Sequence, residues 1–99
     1  MEEYIYYNSL YDCYKKLLTG KQQNYFEDYY FSNLSLSEIS ENYNVSRNAI
    51  HKQLQIIIKK LIEYEEKLNL YKNKKEIDSI LEENDIIKIK NRLKKLNES

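Results

Sequence analysis

The sequence predicts an all-α protein: a helical bundle that contains a helix-turn-helix with a long recognition helix and further helices C-terminal to it. Three observations predict this class. The 99 residues hold no proline and one glycine, Gly20, whereas an all-β chain needs turn residues about every ten positions. Apolar residues recur at alternating steps of three and four along most of the chain, which is the period of a helix face. A Ser or Thr stands ahead of three of these stretches, and two of them carry Gln or Glu three places later, the reciprocal pattern of a capping box.

Taken in order, a first helix is expected from about Glu3 to Leu18, because Tyr4, Tyr7, Tyr11, Tyr14 and Leu18 share one face, with Leu10 and Leu17 beside them. Thr19 with Gln22 forms a capping box for a second helix that ends near Phe31 and buries Tyr25, Phe26, Tyr29 and Tyr30. Ser35 with Glu38 opens a short third helix, Leu36 to about Asn42, facing inward through Leu36, Ile39 and Tyr43. Asn44 stands where a tight turn wants a left-handed residue, Val45 plugs the turn, and Ser46 caps a fourth helix reaching about Leu70. Its residues Ile50, Leu54, Ile57, Leu61, Tyr64, Leu68 and Tyr71 keep four-three spacing. Such a seam wants another helix along its whole length, so Leu54, Ile57, Leu61, Tyr64, Leu68 and Tyr71 are assigned to helix packing or a dimer contact. The far half of the seam is expected to meet the C-terminal helices or a second copy. Lys72 to Lys75 reads as a polar break, Ile77, Ile80 and Leu81 as a fifth helix, and Asp85 as the cap of a sixth carrying Ile86, Ile89, Leu93 and Leu96. A single bent helix from Lys75 to Asn97 is the alternative. One domain spans residues 1–99, with the helix-turn-helix core over 19–62 and an extension over 63–99.

Composition narrows the function classes. Hydrophobic residues make up 41% and charged residues 32%, which is globular and not disordered. Sixteen cationic residues balance sixteen acidic ones, so there is no global basic field for nucleic acid or an anionic membrane. The eleven tyrosines read as core-edge residues that bury a ring and keep the hydroxyl wet. Cys13 is the only cysteine, so no internal disulfide forms, as in a reducing cytosol. The start lacks the apolar segment of a signal peptide and no apolar run is long enough to span a membrane, so a cytoplasmic location is expected. His51 is the sole histidine, which removes histidine-pair metal sites and catalytic triads, and one glycine rules out a glycine-rich phosphate loop. Glu65-Glu66 and Glu82-Glu83 are expected on charge-balanced, solvated helix surface. No catalytic residue, metal, cofactor or small-molecule substrate is assigned. The chain reads as a binding protein and not an enzyme.

The stretch from Leu36 to Ile50 carries the function. A helix-turn-helix needs a small residue where its helices cross (Ser40), a left-handed turn residue (Asn44), an apolar plug (Val45) and a core residue one turn into the second helix (Ile50). From Ser46 to Ile62 there are four cationic residues and no acid, while residues 1–45 sum to −4. A helix that enters a groove presents polar side chains from its first turns. Ser46, Arg47, Asn48, His51, Lys52, Gln55 and Lys59 fit that role. Arg47 suits guanine, Asn48 or Gln55 adenine, and Lys52 a phosphate.

Leu18-Thr19-Gly20-Lys21-Gln22, Tyr29-Tyr30, Leu36-Ser37-Glu38-Ile39-Ser40, Val45-Ser46-Arg47-Asn48-Ala49-Ile50 and Glu63-Tyr64-Glu65-Glu66-Lys67-Leu68 together resemble the YlxM family. These are small bacterial proteins whose helix-turn-helix is similar to region 4 of sigma factors, within the broader winged-helix-like DNA-binding class. The resemblance covers roughly residues 4–71. It implies a homodimer and a link to the signal recognition particle, its RNA and its GTPase. Ser46, Arg47 and Ala49 fall on the family's helix-start motif, and Lys21 and Gln22 on the start of its second helix. Asn44 replaces the usual glycine, Ser40 the usual alanine, and His51 an aromatic residue common at that place.

Two readings follow. In the first, the chain is a nucleic-acid or ribonucleoprotein accessory factor that works through Arg47, Asn48, His51 and Lys52. In the second, the helix-turn-helix is scaffold and a dimeric regulator makes protein contacts through its last three helices. A DNA-binding transcription regulator ranks below both, because no effector domain is present.

Overall fold

The computed structural model describes residues 2–82 and 86–98, and among them only helices and turns occur. The elements are α1 (Glu2–Tyr14), α2 (Gly20–Tyr30), α3 (Leu36–Tyr43), α4 (Arg47–Leu68), α5 (Leu70–Leu81) and α6 (Ile86–Glu98). The molecule is a rod with extents of 57 × 22 × 19 Å. Its spine is α4, about 33 Å long at 1.5 Å per residue. On that spine α1, α2 and α3 pack, while α5 and α6 form a hairpin beyond it.

The ends of the elements follow from local chemistry. α1 is α-helical only to Tyr14; Lys15–Leu17 tighten into a 3-10 turn and Leu18 is extended, so the first helix is shorter than its apolar face. Thr19 accepts the Gln22 N–H, and the Gln22 side chain accepts the Thr19 N–H, both at 3.1 Å. The same reciprocal box joins Ser35 and Glu38 at the start of α3. Asn44 adopts φ 56°, ending α3 in the left-handed region where asparagine is tolerated better than most residues.

The core gathers Leu10, Tyr11, Tyr14 and Leu18 with Tyr25, Phe26, Ile39, Ile50, Leu54, Ile57 and Leu61. Burying each large apolar side chain is worth about 1.5–3 kcal/mol, and this cluster therefore fixes how the first four helices sit together. Three tyrosine hydroxyls depart from the expected wet environment. Tyr11 donates to Glu27, Tyr14 to Glu65 and Tyr43 to Asp28. Burial and then these carboxylates push all three phenols above their ordinary range.

Beyond α4 the chain departs from expectation. The break falls at Asn69 (φ 54°), and Lys72 to Lys75 lie inside α5. A run of lysines and asparagines is the exposed side of a helix whose other side is apolar. α5 starts at Leu70, whose N–H donates to the Tyr14 hydroxyl at 3.0 Å, while Glu65 reaches forward over the break and accepts the N–H groups of Tyr71 and Lys72 at 3.0 and 3.1 Å. Glu65 is thus buried and structural, unlike the solvated carboxylate expected beside Glu66. The far half of the α4 seam is covered by α1, with Tyr14 touching Tyr64 at 5.9 Å between ring centres. Tyr71 belongs to α5 and not to α4, and Leu68 is exposed. α6 turns back along α5, where Arg92 meets Glu76 at 2.8 Å, so the last segment is a hairpin and not one bent helix. The cap expected at Asp85 lies outside the described residues.

Candidate nucleic-acid interface

The turn between α3 and α4 aims the start of α4 outward. The Val45 N–H donates to the Ser40 carbonyl at 3.0 Å, which closes the turn across the point where the two helices cross. Ser40 is buried there, and its hydroxyl donates to the Ser37 carbonyl, so the small polar side chain leaves no unpaired group. Ile50, one turn into α4, is fully buried against Ile39 and the α1–α2 core. Tyr43 adds a strap from α3 to α2, with its hydroxyl on Asp28 at 3.1 Å and its ring edge-on to Tyr25.

Ser46 then caps α4 by accepting the Ala49 N–H at 3.1 Å. Unlike α2 and α3, α4 carries no side-chain acceptor three residues after its cap, because that position is Ala49. The first N–H groups of a helix have no partner within it, and they carry the positive end of its dipole. Arg47, Asn48, His51 and Lys52 surround this end, and all four are exposed.

The seven residues expected to bind divide between two adjoining hollows. Ser46, Arg47, Asn48 and His51 line a shallow hollow of about 410 Å³ with Leu36 from α3. Lys52 is exposed beside it. Gln55 and Lys59 instead stand on the wall of a second depression, an open groove of about 560 Å³ whose other lining includes Tyr7, Tyr29, Tyr30, Leu54, Ile58 and Ile62. His51 borders both. Of the assigned packing seam, Leu54, Ile57 and Leu61 lie in the chain's own core, Tyr64 and Tyr71 are half-buried at its edge, and Leu68 is open.

Helical spacing by itself does not reveal the groove. A signal for it is nonetheless present: Ile58 and Ile62 lie off the four-three seam, so the apolar stripe of α4 is wider than one packing helix requires. Glu63 and Glu66 close its far end. Among the described residues no group of three or more His, Cys, Asp or Glu could hold a metal ion. No described helix is long and apolar enough to cross a membrane.

Comparisons with known proteins agree with this architecture. A UPF0122 protein of Desulforamulus reducens is 50% identical over 70 residues, covering 71% of this chain and 60% of that protein. One from Lactococcus lactis subsp. cremoris is 45% identical over 76 residues, covering 77% and 68%. Another, from Fusobacterium nucleatum, is 42% identical over 77 residues, covering 78% and 75%. The family profile described as "Putative helix-turn-helix protein, YlxM / p13 like" matches residues 1–99, and this chain belongs to that family, UPF0122.

Proposed function

We propose that this chain is a nucleic-acid-binding accessory protein that works through the first two turns of α4. The carrying observation is the convergence of Arg47, Asn48 and His51, with Lys52 beside them, on the capped N-terminus of a helix that has no acidic residue before Glu63. Phosphates are attracted to the dipole and the cations, and the polar side chains can reach base edges. Gln55 and Lys59 lie one and two turns further along, exposed on the wall of the neighbouring groove. Since the whole chain is neutral, binding rests on a few phosphate contacts and is weak and salt-sensitive.

The family resemblance supports a finer assignment, in which the chain acts as a homodimer alongside the signal recognition particle and contacts its RNA or its GTPase. The test is to titrate the protein with labelled particle RNA, generic duplex DNA and the GTPase subunit separately, each at two salt concentrations. Salt-sensitive binding of RNA or DNA that weakens in the Arg47→Ala/Lys52→Ala variant is the expected result. Binding of either nucleic acid that the double variant leaves unchanged refutes the interface. GTPase binding without nucleic-acid binding favours a protein regulator that uses the helix-turn-helix as scaffold.

A further inference from the structure

The groove along α4 is a poor fit to a phosphate backbone. It follows one face of the helix from His51 to Glu66, about 22 Å at 1.5 Å per residue, and its lining is mainly apolar, with Tyr29, Tyr30, Leu54, Ile58 and Ile62 beside the polar Gln55 and a single lysine, Lys59. Its far end carries the carboxylates of Glu63 and Glu66, which repel phosphate. A half-buried apolar channel of this length beside a helix is the shape that accepts an amphipathic helical element.

The same chain displays such an element. Among the described residues, α6 packs mainly on α5, and the hairpin they form leaves large apolar side chains in solvent. Leu81 is 74% exposed and Ile86 68% exposed, with Ile77 and Leu93 also open. By helical spacing Ile77 and Leu81 share one flank of α5, and Ile86 and Leu93 share one flank of α6. Lys90 stands beside that flank, four residues after Ile86 and three before Leu93, and Lys94 follows one turn on. One surface is therefore an apolar channel ending in two carboxylates, and the other an apolar ridge edged by lysines.

We propose that the α5–α6 hairpin of a second copy of this chain occupies the α4 groove, with Leu93 and Ile86 over Ile58 and Ile62 and with Lys90 and Lys94 near Glu63 and Glu66. Each copy owns one ridge and one groove, so a two-fold axis satisfies both and closes the assembly at two chains. This rests on the homodimer proposed above and gives it a surface. It also covers Gln55 and Lys59, which confines the nucleic-acid contact of each copy to Ser46 through Lys52.

Light scattering on the full chain at micromolar concentration tests this. The expected mass is twice 12.1 kDa for the unaltered chain and 12.1 kDa for Leu93→Glu, an exposed site whose change leaves the helical circular dichroism intact. Reversing Glu63 and Glu66 to lysine weakens association at least about tenfold, as does reversing Lys90 and Lys94 to glutamate, and combining the two reversals restores it. A monomer for the unaltered chain overturns both the homodimer and the groove contact. A dimer indifferent to Leu93→Glu and to both charge reversals keeps the homodimer but overturns the groove contact. The nucleic-acid reading is judged separately, by the Arg47→Ala/Lys52→Ala titration.

Discussion

The Tyr14 hydroxyl donates to Glu65 Oε1 at 2.6 Å and accepts the backbone N–H of Leu70 at 3.0 Å, so one phenol ties α1 to the end of α4 and the start of α5. Glu65 completes the joint by accepting the Tyr71 and Lys72 N–H groups. Removing this carboxylate strips three donors of their acceptor at once. Glu65→Ala is expected to cost about 2–4 kcal/mol, the range for orphaning buried donors and losing a helix cap together. Tyr14→Phe takes the acceptor from the Leu70 N–H but leaves Glu65 on the Tyr71 and Lys72 N–H groups, and it costs less, about 1–2 kcal/mol. Urea unfolding of both variants checks the order, and a Glu65→Ala change milder than Tyr14→Phe contradicts this account of the joint.

The joint also makes stability depend on high pH. Burial first, and the neighbouring carboxylate second, push the Tyr14 phenol up to about 12. A phenol whose folded value lies above its unfolded value of roughly 10 binds its proton more tightly in the folded state. Its stabilising effect is complete below the unfolded value and is lost as pH rises through the folded one. Tyr11 is pushed up as well, by burial and then by Glu27, and shifts in the same sense. Unfolding midpoints are therefore expected to fall steeply between about pH 10 and 12. The Tyr14→Phe variant, lacking this titration, should show a shallower fall, and an equal slope in both proteins would remove Tyr14 from the explanation.

Asn44 offers a test of the turn that aims α4. Its φ of 56° costs most L-residues about 1–2 kcal/mol, less for asparagine and nothing steric for glycine. Asn44→Ala should destabilise by about 1 kcal/mol, whereas Asn44→Gly should be neutral or mildly stabilising. Thermal melts decide it, and a glycine variant less stable than the alanine one would mean the asparagine side chain matters more than the backbone angle.

The residues that specify the first four helices act locally. Thr19 with Gln22, Ser35 with Glu38, and Asn44 followed by Val45 and Ser46 fix backbone geometry within a few positions, so their meaning is readable in order. Glu65 is not readable in this way. It sits next to Glu66 with the same local composition, and only the approach of Tyr14, fifty-one positions earlier in the chain, distinguishes them. The misplaced break has the same origin: Lys72 to Lys75 look like a linker until Glu65 is seen capping the helix that contains them. The candidate interface is legible where it depends on the start of α4. Gln55 and Lys59 read as its continuation because helical spacing gives their face but not their neighbours, which come from Tyr7, Tyr29 and Tyr30 on two other helices.

That division of the α4 face makes the salt dependence of binding informative. Each phosphate deprived of its cationic partner lowers the slope of log affinity against log salt by about 0.9 on duplex DNA. Arg47→Ala and Lys52→Ala, which alter exposed cations at the start of α4, should each reduce the slope by about that amount. Lys59 is also exposed and has the same charge, yet it stands on the groove wall among apolar side chains. With the hairpin of a second copy across that wall, Lys59→Ala leaves the slope unchanged. Fluorescence anisotropy at four or more salt concentrations measures all three variants on the same duplex. Equal reductions at Lys59 and Arg47 would show that nucleic acid follows α4 into the groove, and the hairpin would then have to lie elsewhere.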